Sequence, residues 1–121
     1  PYYKIIKKYF IFHSTVQVQQ VGKELNKYSI CLSINAPNYS HAFGTKIFDY
    51  MALKKHIFHI SNGGELYDLL SQKNHFVSKY DFNQIKSILE KIDNKKYEAP
   101  DTNFDQFELT EQTKRLTKIL I

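Results

Sequence analysis

Apolar positions along this chain fall into short blocks separated by polar, turn-forming residues, and the blocks alternate between two periods. Four are compact runs: 9–15 (YFIFHST), 28–34 (YSICLSI), 56–60 (HIFHI) and 75–80 (HFVSKY). They are rich in β-branched and aromatic residues and too short for helices, which predicts strands. The first three are almost continuously apolar at their centres, the pattern of a sheet covered on both faces and therefore parallel.

The blocks between them carry helical spacing. Residues 17–27 put Val18, Val21 and Leu25 on one face, with Ser14 or Thr15 available as a cap. Residues 45–54 gather Ile47, Phe48, Met51 and Ala52, and 65–72 gather Leu66, Leu69 and Leu70 after a break at Gly63-Gly64. In 81–92, Asp81 and Gln84 form a capping box before a stripe of Phe82, Ile85, Ile88, Leu89 and Ile92. Strand and helix thus alternate four times, which predicts right-handed βαβ units and an α/β fold. A polar loop over 93–105, containing Pro100, precedes a last helix over about 110–120 with Leu116, Ile119 and Leu120 apolar.

Composition narrows the class. A chain of 121 residues with 42% hydrophobic and 24% charged residues suits a single small globular domain and excludes disorder. The net charge of +5 comes from scattered lysines, the densest group being Lys4, Lys7 and Lys8. A nucleic-acid binder concentrates its basic residues in a stripe with stacking aromatics, so no nucleic-acid partner is expected. Cys31, the one cysteine, sits in an apolar run and reads as a small core residue, so a reducing compartment is the default. The five histidines lack metal-ligand spacing, His56 and His59 falling on opposite sides of a strand, and no metal site is expected. No stretch reaches the roughly 20 apolar residues of a membrane span. The chain begins at Pro1 rather than Met, which suggests a processed chain or a piece of something longer.

The informative chemistry lies in SHAFGTKIFDYMALKK, residues 40–55. In an open parallel sheet ligands bind beyond the carboxyl ends of the strands, and the loop 35–44 leaves the second strand there. It delivers the chain to a helix N-terminus at Gly44-Thr45, where free N–H groups and the helix dipole favour a phosphate. Gly44 permits close approach, the Thr45 hydroxyl caps the helix or bonds a phosphate oxygen, and Lys46 adds charge. Asp49, one turn beyond Thr45, can accept two hydrogen bonds from a ribose diol. The same residues also fit a plain core helix with Thr45 as cap, Lys46 as a solvated charge and Asp49 on the polar face.

This stretch resembles the C-terminal, nucleotide-sugar-binding domain of GT-B glycosyltransferases, family 4 in particular. That family carries Glu-x-Phe-Gly followed by Glu-Ala-Met-Ala, with seven residues between the two glutamates. Here His41-Ala-Phe43-Gly44 precedes Asp49-Tyr-Met51-Ala52, with seven residues between His41 and Asp49. TKIFDYMAL at 45–53 is close to the Thr-Lys-Ile-Phe-Glu-Tyr-Leu-Ala form of some members, and a strand and a Gly-Gly turn (SNGGELYDLL) follow in the family's order. The resemblance covers roughly 9–121.

It implies a Rossmann-like parallel sheet flanked by helices, a partial GT-B C-terminal domain of about four strands. It also implies that 1–121 is one domain, the last portion of a bacterial enzyme of polysaccharide biosynthesis. That enzyme moves a sugar from a nucleotide-diphosphate donor to a glycan or lipid-linked acceptor, with retention and without a cofactor or bound metal, in the cytoplasm or at the inner face of the membrane. By position, Asp49 binds ribose, Gly44 and Thr45 face the diphosphate, and Ala42 and Phe43 face the donor sugar. Gly63 and Gly64 shape the base or ribose pocket, or serve only as a turn. His41 stands where the family has a glutamate and cannot reproduce its paired acceptors; as a donor-site residue it contacts sugar or phosphate instead, or the sugar is held otherwise. The upstream strand-helix units and the acceptor domain are missing, so half a donor site, no assigned catalytic residue and no turnover by this piece are expected. Missing central strands also leave sheet edges unpaired, which invites self-association. The alternative is a small non-catalytic α/β binding or interaction module in which 41–53 is core and cap.

Overall fold

The computed structural model describes residues 8–11, 14–40 and 43–107. A 3₁₀ turn, Val18–Gln20, leads into a short helix α1 (Val21–Leu25), then strand β1 (Ile30–Ile34) and a 3₁₀ turn at Pro37–Tyr39. Helix α2 (Thr45–Ala52), strand β2 (His56–Ile60), helix α3 (Glu65–Gln72), strand β3 (Phe76–Ser78) and helix α4 (Phe82–Asp93) follow, with a last 3₁₀ turn at Asp105–Phe107. The strands form one parallel sheet in the order β1-β2-β3, a Rossmann-like α/β topology. Ile30 lies opposite His56, and Phe58 opposite Phe76.

Both crossovers step the same way across the sheet, and crossovers of equal hand put their helices on one face. Ile47, Tyr50 and Met51 of α2 and Leu66 and Leu70 of α3 accordingly share a core with Cys31, Ile57 and Phe104. The opposite face holds Phe58, Ile60 and Phe76 under Ile88 of α4, with Ile30, Ile85 and Ile92 at its margin. Every residue of β2 is buried, its two histidines included, as a central strand covered on both faces requires. Fully buried Ile57 and Leu70 each contribute about 1.5–3 kcal/mol of hydrophobic stabilisation. Burial holds the Cys31 thiol above its ordinary pKa, consistent with a packed core residue.

Local signals place the ends of these elements. Asp81 caps α4, its Oδ1 accepting the Gln84 N–H at 2.9 Å. The Gln84 side chain accepts the Lys79 N–H at 3.0 Å rather than closing the box onto Asp81. Gly63 and Gly64 take φ of 125° and 104°, a region that excludes side chains, and turn the chain from β2 into α3.

Two expectations are corrected. The strand expected at 9–15 does not form at its described residues: Tyr9 lies in a helical turn, and 10, 11, 14 and 15 are irregular. Tyr9, Phe10 and Ile11 are exposed, so their apolar character is not spent on a fourth strand. The expected helix over 17–27 is a 3₁₀ turn and barely more than one turn of α1, without a side-chain cap, so Ser14 and Thr15 do not cap it. Gly22 within that block weakens any longer helix. Residues 12 and 13 and the terminal helix expected over 110–121 lie outside the described residues. Among the described residues no helix is long and apolar enough to cross a membrane.

Candidate functional site

Among the described residues β1 is one of the two outer strands of the sheet, and its carboxyl half faces the start of α2 across an open cavity of about 370 Å³. Leu32, Ser33, Ile34 and Asn35 line one wall, and Gly44, Lys46, Ile47 and Tyr50 the other. Strand pairing explains why this side is open. The Asn35 N–H bonds to the Ile60 carbonyl at 2.9 Å, so the odd-numbered positions of β1 face β2 and the even-numbered ones face outward. The outward carbonyl of Leu32 accepts the Tyr50 hydroxyl at 3.0 Å, which ties α2 to the strand edge and closes the inner end of the cavity. Burial raises the Tyr50 pKa, keeping the phenol protonated for this bond.

Gly44 is the N-cap of α2, with an extended backbone, and among the described residues no side-chain hydrogen bond caps the helix. Its first-turn N–H groups lie on the ligand edge of the sheet, beside exposed Lys46. Among the described residues no acidic side chain lines the cavity. Donors and one cation therefore gather where the helix dipole is positive, an environment suited to an anion.

Beneath the cavity lies an interaction that joins β1 to β2. Ser33 Oγ is 2.9 Å from His59 Nδ1, and His59 is fully buried. Its other ring nitrogen, Nε2, is buried with no hydrogen-bond partner among the described residues. Burial pushes the imidazole below its ordinary pKa, hydrogen bonding to the Ser33 main chain partly opposing this, so the ring is neutral at physiological pH.

Of the residues singled out in the sequence, the structure brings Gly44 and Lys46 into the cavity wall. Phe43 is half-buried, stacks on Phe48 at 6.2 Å and packs against the core. Asp49 is exposed on α2 and does not line the cavity. Gly63 and Gly64 stand at the same carboxyl edge, beyond β2, also outside the cavity wall, where the Ser61 hydroxyl donates to the Gly63 carbonyl at 2.8 Å. His41, Ala42 and the Thr45 side chain lie outside the described residues. The sequence reading missed Ser33, Asn35 and Tyr50. The first two were visible as the polar interruption and the polar end of an apolar strand; nothing in the sequence marked Tyr50.

Among the described residues no group of three or more His, Cys, Asp or Glu could hold a metal ion. Compared with protein-family models, curated proteins and solved structures, the chain matches none.

Proposed function

We propose that this chain is the C-terminal part of a GT-B-type glycosyltransferase and carries part of its nucleotide-sugar donor site. The observation that carries the reading is the cavity at the carboxyl end of β1, walled by the glycine-capped start of α2 and by Lys46. A parallel sheet offers its ligand site at this edge, and a cavity with helix N–H donors and no acid among its described lining residues is suited to a diphosphate. The resemblance of 41–53 to the family's donor motif supports the same assignment. In this reading the α2 N-terminus and Lys46 bind the diphosphate and stabilise the charge that develops as it departs. Asp49 takes the ribose hydroxyls from the outer side of the helix, and Gly63 and Gly64 bound the far side of the site. The complete enzyme transfers the sugar to a glycan or lipid-linked acceptor in the cytoplasm or at the inner membrane face, and the cleft it uses needs a further domain.

A backbone NMR titration with UDP, GDP and their sugar conjugates tests this. The amides of 43–50 and 61–65 are expected to shift together and to saturate with one nucleotide. Absence of shifts at millimolar ligand, both here and in a longer chain with upstream strands restored, overturns it.

A second reading, a non-catalytic interaction module, is favoured by one observation. Leu32 and Ile34 are about half exposed on the β1 side of the sheet face that α4 leaves uncovered. In this reading β1 is an association surface, through which a second copy pairs with an edge that no described strand covers.

A further inference from the structure

The pairing of Ser33 with His59 fixes more than a contact. A neutral imidazole has one donor and one acceptor nitrogen, and only Nδ1 of His59 has a partner among the described residues. If Nδ1 accepted the Ser33 proton, Nε2 would carry a buried N–H with nothing to bond. If Nδ1 carries the proton, Nε2 is left with an unfilled lone pair. Orphaned buried N–H groups are the rarer and more costly of the two. The network therefore assigns the proton to Nδ1, which donates to Ser33 Oγ. The serine oxygen is then an acceptor toward the core, and its own hydrogen is left for a partner on the cavity side. Ser33 lines that cavity opposite Gly44 and Lys46.

We infer that Ser33 is a ligand-contacting donor of this cavity, and that His59 is a positioning residue that orients its hydroxyl toward a phosphoryl oxygen. The chemistry of the walls selects the ligand class. With Ser33 so oriented, the serine hydroxyl, the Lys46 ammonium and the α2 N–H groups are all donors, and among the described residues no carboxylate lines the cavity to accept. A phosphoryl group, rich in acceptors and negatively charged, satisfies such a set; a neutral polyol does not. This rests on the donor-site reading above and extends it to two residues outside the 41–53 motif.

Two measurements test it. Long-range ¹H–¹⁵N imidazole spectra of the wild-type protein at neutral pH are expected to show His59 as the Nδ1–H tautomer; an Nε2–H tautomer overturns the inference. Titration with inorganic pyrophosphate, followed at the amides of 33–35 and 44–47, is expected to saturate in wild type. It should weaken about tenfold or more in Ser33→Ala, as loss of a hydrogen bond to a charged group does. Ser33→Thr, which keeps the hydroxyl, should restore most of the affinity. Wild-type binding with an unchanged Ser33→Ala affinity overturns the role of Ser33 and leaves the cavity as an anion site. Failure of wild type to bind pyrophosphate overturns both.

Discussion

The ring of His75 completes the sheet where β3 has not yet begun: its Nδ1 accepts the Ile57 N–H at 3.0 Å. Its Nε2 donates to the Asp101 carbonyl at 2.9 Å. The Ser61 N–H bonds to the Ser78 carbonyl, so the odd-numbered positions of β2 pair toward β3, and Ile57 lies beyond the reach of that three-residue strand. One imidazole thus serves as ladder acceptor and as anchor for the segment that returns after α4. Lys73 secures the same segment, donating to the Asn103 carbonyl at 2.7 Å and pairing with Asp101 at 3.3 Å. Phe104, carried by this strap, is part of the core.

Replacing His75 with Phe keeps the bulk and removes both bonds. The buried Ile57 N–H is left without an acceptor, and an expected loss of about 2–4 kcal/mol follows. Denaturant unfolding measures it. Hydrogen exchange should locate the effect, with protection lost first at Ile57 and at Asp101, whose own N–H bonds to the Lys73 carbonyl. Loss spread evenly over the sheet would count against the local account.

Acid should weaken the same end of the molecule. His56 stacks on Phe76 at 4.3 Å, and its buried Nε2 has no partner among the described residues. Burial, reinforced by neighbouring His75, pushes its pKa down to about 4 from 6.5. Burial also lowers His75, its bond to Asp101 partly opposing. A folded-state pKa below the unfolded one means the unfolded chain takes up protons first as pH falls. Stability is therefore full above about pH 6.5 and declines toward pH 4, with about 2 kcal/mol lost by pH 5 from His56 alone. Urea titrations at pH 7.5 and 5 check this; equal midpoints would show that His56 charges freely in the fold.

Asp49→Ala separates the ribose role from a structural one. The side chain is exposed, so folding stability should stay within about 0.5 kcal/mol of wild type. Nucleotide affinity should fall by about 1–3 kcal/mol, as loss of charge-assisted hydrogen bonds requires. Calorimetric melting and the nucleotide titration give the two numbers. An equal fall in stability would make Asp49 structural.

The outer strand provides the fourth test. Ile34 is 57% exposed on β1, and its main-chain groups face outward. Wild type is expected to associate reversibly at high concentration, and Ile34→Lys, a charge on the edge, to remain monomeric with little change in stability. Sedimentation velocity over a concentration series decides it; association that persists unchanged in Ile34→Lys would place the contact elsewhere.

Much of the fold was legible because its signals are local. The run HIFHI gave β2 its full extent, and the spacing of Leu66, Leu69 and Leu70 after two glycines gave α3 its bounds. Asp81 and Gln84 marked the start of α4. The run at 9–15 had the same local character, yet its described residues form no strand. A strand exists only where another edge offers hydrogen bonds, and β-propensity carries no record of a partner.

At the site, the sequence by itself determined the loop after β1, the glycine before α2 and the lysine beside it, all set by neighbours in the chain. The tertiary structure decided that Ser33 meets His59, that Tyr50 holds the outer carbonyl of Leu32, and that His75 completes the ladder at Ile57. Each joins residues 18 or 26 positions apart. Hydrophobic periodicity fixes which face a residue takes. Which polar atoms then meet depends on strand register and helix placement, and these are set only when the whole sheet packs.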